Sequence, residues 1–147
     1  MGVTVTDTAS VLIDNTLHRS TREALATMRK GAIDIRDLAR KMAPVDEANL
    51  EGAIKSDDKD AGGINGRKRI EVFVDVDMPV PGRPGKVVGD YSDIMHEDVT
   101  YKLGKKSKAK QAANPGIKVG AKYLERAADE LSPAIMLAVQ NAVSKIL

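Results

Sequence analysis

Apolar residues step by four, three, four and three through Met28, Ala32, Ile35, Ala39 and Met42. Leu17, Thr21 and Leu25 carry the same stripe back toward Thr16. That spacing predicts a long helix with one apolar face, from about Thr16 to Met42. Arg22, Glu23, Arg29, Lys30, Asp34, Arg36, Asp37 and Arg40 fall largely on its other faces. Ser20 and Glu23 have capping-box spacing, which marks either the start of the helix or an accident within a longer one. Pro44 stops it, because the residue before a proline is pushed out of the α region.

The period then changes. Leu50 to Ser56 is short and mixed, whereas Arg69 to Asp77 alternates, with Ile70, Val72, Val74 and Val76 on one side and Glu71, Phe73, Asp75 and Asp77 on the other. Such alternation predicts a strand with one buried face. Asn65-Gly66 between the two segments favours a tight turn, so an antiparallel hairpin is the economical reading. Pro79, Pro81, Gly82, Pro84 and Gly85 make a loop too rich in proline for regular structure. Val87-Val88 is a candidate short strand, and Tyr91 to Asp98 a candidate helical turn or two. Leu103 to Gly120 reads as a loop, with Gly104, four lysines within 105–110 and Asn114-Pro115-Gly116. A second helical stripe follows from Lys122 to Ile146, through Leu124, Ala127, Leu131, Ile135, Ala138 or Val139, Ala142 and Ile146. Ser132-Pro133 is expected to bend or restart that helix. The order is that of a single α+β domain over residues 1–147, with flexible loops at about 78–90 and 102–118.

Composition narrows the function classes. Only four of the 147 residues are aromatic, Phe73, Tyr91, Tyr101 and Tyr123, so the core is expected to be aliphatic and modest. Oligomerisation commonly supplies what such a core lacks. The absence of cysteine excludes disulfides, Cys-ligated metal centres and thiol catalysis. No apolar run approaches a membrane span, and Met1 to Ser10 lacks the form of a secretion signal, so a soluble cytoplasmic product is expected. The net charge of +2 hides an uneven distribution. Residues 1–56 are balanced, 57–99 carry −4, 100–124 carry +7 with no acid, and 125–147 carry −1.

Candidate chemistry is sparse. His18 and His96 lie in no nucleophile motif, and His96-Glu97-Asp98 places adjacent side chains in different directions on a helix, which suits a polar helix end better than a metal cluster. The glycine-rich segments 62–68 and 85–87 lack phosphate-loop spacing. Lys102, Lys105, Lys106, Lys108, Lys110, Lys118 and Lys122 are the unusual feature. They suit a solvated loop, a contact to an acidic neighbouring subunit, or the DNA backbone. Lysine in place of arginine offers charge without base-reading geometry.

Three segments resemble one family. Ala43-Pro44-Val45-Asp46-Glu47-Ala48-Asn49-Leu50-Glu51-Gly52-Ala53-Ile54 resembles the element A-P-V-D-T-G-N-L-R-x-S-I of tailed-bacteriophage head–tail joining and tail-completion proteins. Tyr91-Ser92-Asp93-Ile94-Met95-His96-Glu97 resembles that family's Y-A-x-x-x-H-E, and Gly120-Ala121-Lys122-Tyr123-Leu124-Glu125-Arg126-Ala127 its G-x-K-F-L-x-x-A. The order and spacing agree over nearly the whole chain. Glu47-Ala48 stands where the family has Thr-Gly, so the tight turn there must be made without glycine. Ala53 stands for its usual Ser.

The resemblance implies a long N-terminal helix and a C-terminal helix packed on a small antiparallel sheet. It also implies a non-enzymatic virion protein of the neck or proximal tail, assembled in the host cytoplasm. Copies would form a ring, expected as a hexamer with a dodecamer as the other count, between portal-side and tail-tube proteins and around the packaged DNA. No cofactor, metal or membrane is implied. Pro44, Asp46, Asn49, Leu50, Tyr91, His96, Glu97, Tyr123 and Leu124 would be structural motif residues. The −4 region beside the +7 region then suits head-to-tail contact between identical copies. The rival expectation is a small non-specific nucleic-acid-binding module using residues 102–122.

Overall fold

The computed structural model describes residues 2–7, 10–15, 22–45, 49–60, 68–98 and 102–144, with side chains for 23–45, 49–57, 69–98 and 102–144. It is an α+β fold in which two long helices pack on an antiparallel sheet. In order, the elements are β1 (Gly2–Asp7), β2 (Ser10–Asn15), α1 (Arg22–Met42), α2 (Leu50–Ala53), β3 (Ile54–Asp60), β4 (Lys68–Val74), α3 (Gly89–Glu97), α4 (Lys105–Ala113) and α5 (Tyr123–Ser144). Thr16 to Thr21, the Asn-Gly turn, Asp46 and Tyr101 fall outside the described residues, so the question of where α1 begins stays with Arg22.

The expected hairpin is present, with β3 antiparallel to β4 from Ile54↔Val74 to Asp60↔Lys68. It belongs to a wider sheet of order β1-β2-β4-β3, because β2 also pairs with β4, in register from Ser10↔Phe73 to Asn15↔Lys68. The β1–β2 hairpin was not anticipated. Its signal lay in the β-branched alternation of Val3, Thr4, Val5 and Thr6, which is short enough to pass for an irregular terminus.

Burial follows the two periodicities. Met28, Ala32, Ile35, Ala39 and Met42 of α1 are buried, as are Ile70, Val72 and Val74 of β4 and Tyr123, Leu124, Ala127, Ala128, Ile135 and Val139 of α5. Val76 departs from the expected buried face, because β4 ends at Val74 and the chain turns away, leaving Val76 exposed. Helix α5 crosses α1 closely at Gly31, where an added Cβ would lie 2.7 Å from Ile135 Cγ2. Glycine permits that approach because it has no side chain to displace.

Three local expectations are corrected. Leu50 to Ala53 is a helical turn and not the start of the strand, so β3 begins only at Ile54. Pro133 lies within an uninterrupted α5, and the Ser132 hydroxyl donates to Ala128 O at 2.6 Å beside it. Residues 105–113, read as loop, are the helix α4. Lys, Ala and Gln are strong helix formers, but this segment lacks the apolar stripe that announces a helix because its inward face is polar. The other expected loop, 78–90, is tied down within the chain. Pro79 bridges Val87, Val88 N donates to Met78 O at 2.9 Å, and Val80 and Val88 are buried. Its last two residues already belong to α3.

Among the described residues, no helix is long and apolar enough to cross a membrane.

Candidate functional site

A helix leaves its last carbonyls without intrahelical partners. At the C-terminus of α1 those acceptors are met from distant parts of the chain. Gly120 N donates to Met42 O at 2.9 Å. The Lys110 ammonium donates to Arg40 O at 2.6 Å and Ala43 O at 2.7 Å, and to the Glu51 carboxylate. All three ammonium donors are thereby used, and the positive charge sits where the helix dipole is negative. One turn earlier on α4, Ser107 is fully buried, accepting from Val45 N at 2.8 Å. Gln111 completes the inward face, donating to Ile117 O at 2.7 Å and accepting from Val119 N at 2.7 Å. Positions 107, 110 and 111 share one face of a helix by spacing, so α4 docks through a polar stripe where α1 uses an apolar one.

The turn into α2 runs through Asn49, which holds φ 57° and ψ 48°. Asparagine tolerates this left-handed conformation better than most residues. Glu47 and Ala48, which stand where the family has Thr-Gly, fall outside the described residues. The Arg40 guanidinium fixes the other end of α2, donating to Ile54 O from Nε at 2.9 Å and Nη2 at 2.6 Å. Leu50 is buried in the same core as Leu124.

The second and third motif segments meet beside this joint. His96 is 1% exposed and stacks edge-on against Tyr123, with ring centroids 4.8 Å apart. Its Nδ1 lies 2.9 Å from Glu97 Oε1, and its backbone carbonyl accepts from Lys122 N at 2.6 Å. The Lys122 ammonium pairs with the Glu97 carboxylate and lies 3.8 Å from Glu125. Lys122 itself takes φ 58°, a left-handed turn residue that aims the chain into α5. Arg126 then wraps the preceding loop, donating to Ala121 O, Lys118 O and Gly120 O.

The electrostatics follow from these contacts. Hydrogen bonds from Lys122 and His96 hold the Glu97 carboxyl below its ordinary range, so it is ionised and only accepts. The facing His96 Nδ1 therefore carries the proton. Burial pushes the His96 imidazole down, against the pull of Glu97, and keeps it neutral. Lys122 is raised by the Glu97 contact. His96 Nε2 and Ser92 Oγ are buried without hydrogen-bond partners. They lie one helical turn apart within the packed interior.

The lysines divide into two sets. Lys110 and Lys122, expected on an interface or facing DNA, make internal bonds, Lys110 to the part-buried carbonyls at the end of α1 and Lys122 to the exposed Glu97 carboxylate. Lys102, Lys105, Lys106, Lys108 and Lys118 are exposed. Of the motif residues, Pro44, Leu50, His96, Tyr123 and Leu124 are buried, Tyr91 packs partly buried against the core, and Asn49 is exposed at its turn. Ser107, Gln111, Arg40 and Arg126 were not singled out from sequence. The partners of Ser107 and Arg40 lie 62 and 14 residues away, and those of Gln111 and Arg126 are backbone groups of the neighbouring loop, which no side-chain pattern marks. Among the described residues, no group of three His, Asp or Glu could hold a metal ion. An open groove of about 350 Å³, lined by Arg29, Ile33, Ser56, Asp57 and Ile70, lies apart from the joint.

No protein-family model, no curated protein and no solved structure matches this chain.

Proposed function

We propose that this chain is a non-enzymatic structural subunit of a tailed-phage neck, which assembles as a ring at the head–tail junction and joins or completes the tail. The observation that carries this reading is the convergence of the three motif segments on one joint. Lys122 N donates to His96 O, which joins the second and third segments, Gly120 N donates to Met42 O at the edge of the first, and Leu50 and Leu124 share one core. His96 and Glu97 serve to hold α3 to the start of α5, which is an architectural use. The subunit then acts by binding, as a rigid helix–sheet body offering fixed charged surfaces to neighbouring copies and to portal-side and tail-tube proteins.

The second reading, a non-specific nucleic-acid-binding module, is favoured by the five exposed lysines on and beside α4. Two measurements separate the readings. The structural subunit is expected to give a discrete multiple of its 15.8 kDa mass in solution, with annular particles by electron microscopy. The nucleic-acid module is expected to remain a monomer and bind duplex DNA with a steep salt dependence, a slope of about −4 to −5 if all five lysines meet phosphates. A monomer with that slope overturns the neck assignment.

A further inference from the structure

The two long edges of the body differ in both of its layers. The sheet ends in β3 on one side and in β1 on the other, and among the described residues neither has a second strand beside it. Helix α1 packs over β3 and β4, and α5 over β1 and β2. At the first edge, β3 carries Lys55, Asp57, Asp58, Lys59 and Asp60, and α1 above it exposes Arg29, Lys30, Asp37 and Lys41. Charge of this kind blunts a strand edge against pairing. At the second edge, β1 runs Gly2-Val3-Thr4-Val5-Thr6 before its first charge at Asp7. Its pairing with β2 is regular from Gly2 to Val5, and the register shifts only between Val5 and Asp7. An uncharged, β-branched edge strand is a template for another strand.

Helix α5 matches that edge. Its first half bears Glu125, Arg126, Asp129 and Glu130, but no charged residue occurs between Glu130 and Lys145. A surface helix normally carries charge on its outer face. Here Pro133, Leu137, Gln140 and Ser144, which share one face by their spacing, are all exposed, Leu137 by 58%. This uncharged half lies level with the middle of β1. Ile135 presses on Gly31, whose near neighbours Arg29 and Ile33 line one groove with Ile70. Ile70 is in register with Ile13, and Ile13 with Val3. The two uncharged surfaces also agree in length, since Leu131 to Ser144 rises about 21 Å as a helix and β1 spans about 20 Å.

We propose that β1 of one copy pairs antiparallel with β1 of a second copy, which joins the two sheets and packs the two α5 helices against each other. An antiparallel pair of identical strands is related by a two-fold axis perpendicular to the sheet, so both helix layers stay on the same side. Neighbouring strands lie about 4.8 Å apart. A helix seated over β1 and β2 then stands about 5 Å from the axis, which sets the two α5 helices about 10 Å apart, the distance at which helices pack. One operation thus covers the strand edge and the helix flank together. A lone extended peptide would pair with β1 and leave α5 bare, and a lone helix would do the reverse, so a second copy is the partner that fits both layers. The contact is isologous and closes on itself. It stands independently of the neck reading and uses none of the lysines that form the cationic face of α4.

Added charge tests the pairing in the full chain. The wild type is expected at twice 15.8 kDa by light scattering, or at a higher even multiple where pairs assemble further. Leu137→Lys is expected to lower that mass roughly twofold or more, because the substitution enters a two-fold contact from both sides. Gln140→Lys repeats the test at an exposed polar position and removes no apolar side chain, so a shared result is not a failure to fold. Ile33→Lys, at a site 41% exposed on the opposite flank, is expected to leave the mass unchanged. Amide exchange over residues 2–7 should be slow in the wild type and faster in Leu137→Lys, with residues 54–60 unaltered.

A wild-type monomer or odd multiple, or an assembly that Ile33→Lys breaks and Leu137→Lys does not, overturns the proposal. A Leu137→Lys monomer in which residues 2–7 exchange as slowly as in the wild type also overturns it, because strand pairing would then be no part of the contact.

Discussion

Along the α1–α5 pair the inward side chains are Met28, Ala32, Ile35 and Ala39 against Leu124, Ala127, Ile135 and Val139, and along α4 they are Ser107, Lys110 and Gln111. Both regions are helical and both are fixed to the same body. The first is held by removal of apolar surface from water, which is non-directional and roughly proportional to area. The second is held by hydrogen bonds whose net worth is about 1 kcal/mol each, but whose loss strands buried acceptors. The difference separates stability from placement. The α1–α5 contact keeps the chain folded, whereas the α4 contacts decide where the cationic face points.

The largest effect is expected from the apolar side. Leu124→Ala should cost roughly 2–5 kcal/mol, read as a lower urea midpoint with an unchanged slope. Every element should lose protection together, since Leu124 lies in the shared core. A loss confined to α5 would break the comparison, because it would make the two long helices independent.

On the polar side, Lys110→Met keeps most of the side chain's length but removes the ammonium from Arg40 O, Ala43 O and Glu51. A loss of about 1–3 kcal/mol is expected. Its signature is local: amide exchange should accelerate over 105–113 while the middle of α1 stays protected. Equal acceleration in both would mean that α4 contributes to the core after all.

The smallest effect concerns pH. Burial depresses His96, so the unfolded chain takes up a proton at its ordinary value of about 6.5 before the folded chain does. The stability from keeping His96 neutral is therefore fully present above about pH 6.5 and declines as pH falls toward the folded-state value. Glu97, depressed by Lys122 and His96, adds a separate decline in more acidic solution. The urea midpoint should fall between pH 7 and 5.5, and His96→Gln should flatten that slope. A variant with an unchanged slope would show that His96 is not the titrating group.

These tests also bear on what could be read in advance. The period of four, three, four and three in α1, the alternation in β4 and the stripe of α5 all reappear as buried faces, because apolar burial imposes its geometry on local sequence. The same logic failed for α4. A helix docked by a serine, a lysine and a glutamine reads as a solvated loop until its partners are in view. Lys110 illustrates the limit. In sequence it is one of seven similar lysines, and its role depends on carbonyls 67 and 70 residues away.

Sequence alone determined the α+β class, the two long helices, the β3–β4 hairpin and the uneven distribution of charge. Tertiary structure decided the sheet order, the helical state of α4, which lysines are spent internally and which remain on the surface, and the meeting of His96 with Tyr123. The division has a physical cause. Apolar burial is set by a residue's own neighbours along the chain, whereas a hydrogen bond or ion pair needs a particular partner, and only folding brings that partner within 3 Å.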